Sequence, residues 1–227
     1  TLSHEEQKAV IKFTIEKVKG RCQVIAGTGS NNTAEALGLT KYAKEIGADA
    51  AMVITPYYNK PTAEGQYRHY RLLAEKTGLP IMLYNVPGRT GTKIEPETIA
   101  RLRRDVPNIV AVKEACGSVD QVSAILSQCD IQVLSGDDSL TLPMMAVGGK
   151  GVVSVAANIL PTEVAALCAA GARGDFVEAR RLHYRLLPIL KALFIETNPI
   201  PVKTALKLMG RINGVLRMPM CEMRPEN

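Results

Sequence analysis

The sequence has no tryptophan and only three phenylalanines among its 227 residues. Its three histidines, His4, His69 and His183, are too scattered for a metal-ligand pattern. The five cysteines, Cys22, Cys116, Cys129, Cys168 and Cys221, are odd in number and widely spaced. Without a CxxC pair they point away from zinc and dithiol redox chemistry, and they read as reduced thiols of a cytoplasmic protein. No apolar run is long enough to span a membrane, nothing near Thr1 looks like a signal peptide, and low-complexity tracts are missing. The chain opens on Thr1 rather than Met, as an excerpt of a longer one would. No GxGxxG follows the first apolar run and no GxxxxGK[ST] occurs, so the nucleotide-binding α/β folds lose their main signature.

The formal net charge is +6, from 28 Lys and Arg against 22 Asp and Glu. Acidic neighbours, as in Arg101–Asp105 and Glu178–Arg181, make this a solvated surface rather than a nucleic-acid footprint. A mild positive field also suits small anionic substrates.

What is present is a repeat of short apolar runs and longer amphipathic segments. The runs are Cys22–Ala26, Ala50–Ile54, Pro80–Val86, Ile109–Val112, Ile131–Leu134 and Gly151–Ala156. They are rich in Val and Ile with little polar alternation, as strands buried on both faces are. Ser3-His-Glu-Glu6 is a capping box, Asn32-Thr-Ala-Glu35 a similar start, and further helices are expected at 62–77, 95–104, 118–127, 138–147 and 161–172. From Asp175 to Leu208 the pattern stays helical, divided by Pro188, Pro199 and Pro201. The order α(βα)6 plus C-terminal helices is α/β. Six strands alone do not separate an open doubly wound sheet from a barrel; the reading as a partial (β/α) barrel over 1–174, with a helical region over 175–227, also explains where the unusual polar residues fall. Thr55, Asn85, Lys113, Ser135 and Asn158 fall at or past strand ends, where a barrel keeps its active site.

Lys113 closes an apolar strand. Desolvation there disfavours the ammonium, and a neutral amine can attack a ketone to form a Schiff base. A strand-end lysine paired with Glu114 or snorkelling to water fits the same position. Tyr84 could shuttle protons to such an amine, or simply pack. Arg89 could clamp a carboxylate, or lie on the surface. Tyr57 and Tyr58 are adjacent and point in different directions, within a proline-bounded loop. Gly27-Thr-Gly29 could bind an anion, though two glycines more often serve backbone geometry.

Together these motifs resemble one family. Val112-Lys-Glu-Ala115, Tyr84-Asn-Val-Pro-Gly-Arg-Thr90, Thr55-Pro-Tyr-Tyr-Asn59, Ile25-Ala-Gly-Thr-Gly29, Leu134-Ser-Gly-Asp-Asp138 and Asn198-Pro-Ile-Pro-Val-Lys203 are similar to the signatures of dihydrodipicolinate synthases, in the same order and at the same spacing. The resemblance implies a TIM (β/α)8-type barrel lacking its first strands, with about six present, plus C-terminal helices. It also implies a lyase that condenses pyruvate with L-aspartate-4-semialdehyde in diaminopimelate and lysine synthesis. Lys113 would form the Schiff base, Tyr84 would shuttle protons, and Tyr58 would cross a tight dimer into the partner's site. Arg89 would bind the semialdehyde carboxylate. Gly136 and Val153 would border the pocket. His4, Asn31, Glu35 and Tyr57 match a feedback site for L-lysine, although Glu35 also suits a capping box and Gln7 stands where some lysine-sensitive members have a second histidine. No metal or organic cofactor, nucleic acid or membrane is implied, and a homo-oligomer, dimer or tetramer, is expected. Arg89-Thr90 favours the synthases over the related N-acetylneuraminate lyases. The family's opening strand, helix and second strand, ending in a Gly-Thr-Thr-Gly-Glu loop, are not in this sequence. That departure keeps open another pyruvate-dependent aldolase and a catalytically inactive truncated homologue.

Overall fold

The computed structural model describes residues 1–227. The chain forms two compact units, Leu2–Leu134 and Ser135–Asn227, with Thr1 grouped with the second. The boundary expected at 174/175 lies inside the second unit.

The first unit alternates helix and strand: α1 (His4–Val18), β1 (Ile25–Gly27), α2 (Thr33–Glu45), β2 (Ala50–Ile54), α3 (Ala63–Thr77), β3 (Ile81–Asn85), a single turn α4 (Pro87–Thr90), α5 (Pro96–Asp105), β4 (Ile109–Glu114), α6 (Val119–Gln128) and β5 (Gln132–Ser135), whose last residue opens the second unit. The expected capping box starts α1: the Glu6 amide donates to Ser3 Oγ at 3.2 Å and the Ser3 amide to the Glu6 carboxylate at 2.8 Å. The start of α2 differs from expectation. Asn32 caps the Ala34 amide at 2.9 Å, but its own amide donates to Ser30 Oγ at 3.1 Å, so Glu35 completes no box.

The strands of this unit hydrogen-bond in chain order, and β1, β2, β3 and β4 run parallel. A doubly wound sheet would reverse its strand order at a switch point; successive addition is the (β/α)-barrel pattern. Ala51, Val53, Ile81, Leu83, Ile109 and Val112 are completely buried, and each large one contributes about 1.5–3 kcal/mol. Gly29 has a steric reason: a Cβ there would lie 2.4 Å from the Ile54 amide nitrogen, so the close approach of β1's end to β2 requires glycine. Between α3 and α5, the Arg101 guanidinium stacks 3.6 Å from the Tyr67 ring centroid and bonds Glu64 at 2.7 Å. With Arg104–Asp105 and Arg181–Glu178, such pairs occupy the surface charge as expected.

The second unit holds a 3-10 turn (Asp138–Leu140), α7 (Thr141–Ala146), β6 (Gly151–Val152), a 3-10 turn (Ala156–Asn158), α8 (Pro161–Ala172), α9 (Phe176–Ala192) and α10 (Ile200–Leu208). β6 lies beside the end of β5, with the Val153 amide donating to the Ser135 carbonyl at 2.8 Å. It is shorter than the expected 151–156 because buried Asp138 captures the residues just beyond it. The Asp138 carboxylate accepts the Val155 and Ala156 amides at 2.9 and 3.1 Å and the Ser154 hydroxyl, turning the chain out of the strand and leaving Asn158 in a 3-10 turn. Pro188 does not divide the C-terminal helix. It sits inside α9, where Leu182, Leu186 and Leu190 are buried on both sides of it against α8's Val164 and Leu167. That burial outweighs the roughly 3 kcal/mol cost of an internal proline.

His69 on α3 is 5% exposed, with Nδ1 2.9 Å from Thr33 Oγ1 and Nε2 without a partner. Burial lowers its pKa to about 4. Between the ordinary value near 6.5 and about 4, the unfolded chain takes up a proton that the folded chain refuses. Stability is therefore expected to fall as pH drops through this window, by at most roughly 3 kcal/mol from this residue. Urea unfolding of the parent and of His69→Gln across the window checks this. A parent whose slope matches the variant's would remove His69 as the cause.

Candidate active site

Tyr84 on β3 and Lys113 on β4 are register partners, and Asn85 and Glu114 are the next pair. An irregularity between Ile81 and Met82 sets that register. Side chains alternate along strands, so Tyr84 and Lys113 share one face and Asn85 and Glu114 the other. Lys113 Nζ stands 3.9 Å from the Tyr84 ring centroid, within cation–π range. The Glu114 carboxylate is bound by Asn85 and the Cys116 amide.

Burial pushes the Tyr84 hydroxyl above its ordinary value, and the charge of Arg89 pulls the other way. At neutral pH the phenol keeps its proton and can both donate and accept. Arg89 belongs to the turn α4, where the sequence predicts a loop. Pro87 starts that turn, and Gly91, at φ +69°, ends it. The backbone of Tyr84 is anchored from β2: the Thr55 amide and its Oγ1 each donate to the Tyr84 carbonyl at 3.0 Å, and the buried Tyr70 hydroxyl donates to Thr55 Oγ1 at 3.3 Å. The first unit thus offers an amine, a neutral phenol beside it, and a guanidinium in electrostatic range of the phenol. These suit carbonyl attack, proton transfer and carboxylate binding.

The whole chain, residues 1–227, matches the Dihydrodipicolinate synthetase family. This chain belongs to that family. It is 56% identical over 229 aligned residues to the 4-hydroxy-tetrahydrodipicolinate synthase of Nitratidesulfovibrio vulgaris strain DP4, covering 100% of this chain and 78% of the relative. The dihydrodipicolinate synthase structure from Aquifex aeolicus superposes with a TM-score of 0.98 at 50% identity, over 100% of this chain and 78% of that one. The chloride-inhibited dihydrodipicolinate synthase of Acinetobacter baumannii, solved in complex with pyruvate, superposes with a TM-score of 0.96 at 45% identity, again over 100% and 78%.

Tyr58 lies beyond β2 at φ +68°, 90% exposed. Gly136 follows β5 and Val153 follows β6, both in the second unit. His4, Glu35 and Tyr57 line one cleft of about 680 Å³ in the first unit, with Gln7 in its wall. Glu35, freed from capping, accepts the Ser30 hydroxyl at 2.8 Å. Asn31 contributes its carbonyl to the Asn59 side-chain amide at 2.9 Å. No motif in the sequence gives Tyr70 or the Asn85–Glu114 pair a role near Lys113. The sequence places Asn85 on the strand-end rim and both Asn85 and Glu114 inside the family motifs, but nothing in it pairs the two.

Proposed function

We propose that this chain is a class I lyase that condenses pyruvate with L-aspartate-4-semialdehyde, as the 4-hydroxy-tetrahydrodipicolinate synthase names of its relatives suggest, on the path to diaminopimelate and lysine. The observation that carries the reading is Lys113 Nζ held 3.9 Å from the Tyr84 ring centroid by strand pairing. The Lys113 amine attacks the pyruvate ketone. The carbinolamine loses water with a proton carried by Tyr84, leaving an imine. Loss of a methyl proton gives an enamine, whose carbon attacks the aldehyde. The imine nitrogen supplies the electron sink, so the step is assigned without an organic cofactor. We place this chemistry in the cytoplasm, a reading supported by five free cysteines. Tyr58 we assign to a partner subunit's site in a homo-oligomer. Light scattering is expected to show more than one copy, and a well-folded monomer at micromolar concentration would remove that role.

Borohydride reduction in the presence of pyruvate, followed by intact-mass measurement, tests the reading: one reduced pyruvate should be fixed on Lys113. An unmodified mass at saturating pyruvate would overturn it.

Arg89 is assigned to the second substrate's carboxylate. Arg89→Ala should therefore lower condensation much more than pyruvate trapping, with a loss of about 1.5–3 kcal/mol for one charged hydrogen bond. An equal fall in both rates would sink this role.

A further inference from the structure

Behind Tyr84 and Lys113, on the opposite face of β3 and β4, lies a polar pair that the chemistry above does not use. Asn85 and Glu114 are both completely buried. The Asn85 amide nitrogen donates to Glu114 Oε2 at 2.9 Å and to Oε1 at 3.1 Å. Glu114 Oε1 also accepts the Cys116 amide at 2.9 Å. Asn85 Oδ1 faces the other way and accepts the Ile94 amide at 3.1 Å, while Gln121 Nε2 donates to the Ile94 carbonyl at 3.0 Å.

A buried carboxylate is a poor stabiliser. Apolar residues of similar volume commonly do as well or better, whereas removing one partner of such a pair is costly. Burial pushes the Glu114 carboxyl above its ordinary value, against hydrogen bonds from Asn85 and Cys116 that pull it down. What the pair provides is register. Asn85 meets Glu114 only when Tyr84 meets Lys113, because both pairs belong to one parallel alignment. A one-residue slip would carry every side chain to the other face.

We propose that Asn85 and Glu114 are positioning residues for the reaction: their pairing fixes the alignment that holds Lys113 beside Tyr84, and the Asn85–Ile94 bond ties the Arg89-bearing segment to it. The proposal rests on the Schiff-base reading of Lys113. Both side chains lie on the face opposite Lys113 and Tyr84.

The test uses exchange of the two groups in the whole chain. Glu114→Gln alone leaves one oxygen to serve both Asn85 and the Cys116 amide, so a donor faces a donor. Asn85→Asp alone sets two carboxylates face to face. The double variant Asn85→Asp/Glu114→Gln keeps the parental net charge and again gives the Ile94 amide, the 2.9 Å cross-strand contact and the Cys116 amide an acceptor, losing only the longer 3.1 Å contact, where two oxygens now face. Circular dichroism establishes folding, borohydride trapping with pyruvate reads the imine rate, and trinitrobenzenesulfonate labelling of Lys113 across pH reads the amine's own titration. A merely structural pair would alter melting but not the titration of an amine on the other face. Each folded single variant is expected to trap about 10- to 100-fold more slowly, the cost of a small misplacement of reacting groups. Its labelling profile is expected to shift, and both readouts should return toward parental in the double variant. A folded Glu114→Gln with parental rate and profile overturns the proposal, as does a folded double variant no better than the singles. If the singles do not fold, the folded double decides: parental behaviour supports the pairing and slow trapping overturns it. A parent that traps no pyruvate, but whose Lys113 profile shifts in the singles and recovers in the double, removes the pyruvate reading and keeps the positioning. No shift in that case overturns both.

Discussion

Lys113→Ala is expected to abolish the borohydride-trapped pyruvate adduct and to lower turnover by more than about 1,000-fold, as loss of a covalent nucleophile does elsewhere. On β3 and β4 the same-face neighbours of Lys113 are Tyr84, Met82 and Ala111, none of them an amine. The substitution trims a half-buried side chain at a strand end, so the fold should survive and the melting temperature should move little. Intact mass after reduction gives the readout. A variant that still carries the adduct would show that another lysine is the nucleophile.

Tyr84→Phe should come next in size. The ring stays, and with it the contact beneath Lys113 Nζ; only the hydroxyl is removed. The binding of pyruvate should therefore change little, while imine formation and turnover fall by about 100- to 10,000-fold, the usual worth of a placed general acid–base group. A pH–rate profile sharpens the test. Burial raises the hydroxyl's pKa, so a parental loss of rate on the alkaline side, above the ordinary phenol range, should disappear in the variant. A phenylalanine variant with parental imine rate would return Tyr84 to a packing role.

The alternating order of helices and strands is readable because strands buried on both faces cannot hide their apolar runs. Lys113, Tyr84 and Arg89 are readable because charged or phenolic groups stand out at the ends of such runs. The rest depends on distant contacts. Asp138 shortens β6 through amides 17 and 18 residues away. Pro188 is tolerated only because leucines on both sides of it are buried. The Asn85–Glu114 pair depends on the alignment of two strands, which neither strand's sequence specifies alone. Glu35 has the spacing of a cap, but Ser30, outside the motif, takes the Asn32 amide in its place.

The chain-order pairing of β1 to β4 also bears on how the first unit is made. Each strand meets a neighbour synthesised within the previous 30 residues or so, as Ile25 meets Ala50 and Ile81 meets Ile109. Closing loops of that size costs little more than closing shorter ones, since the entropy grows only with the logarithm of length. β2 can therefore settle on β1, and β3 on β2, before β4 has left the ribosome, each new helix covering the strand just laid down. In that order of assembly the wall that carries Tyr84 would be in place first, and Lys113 would arrive with the strand that docks against it.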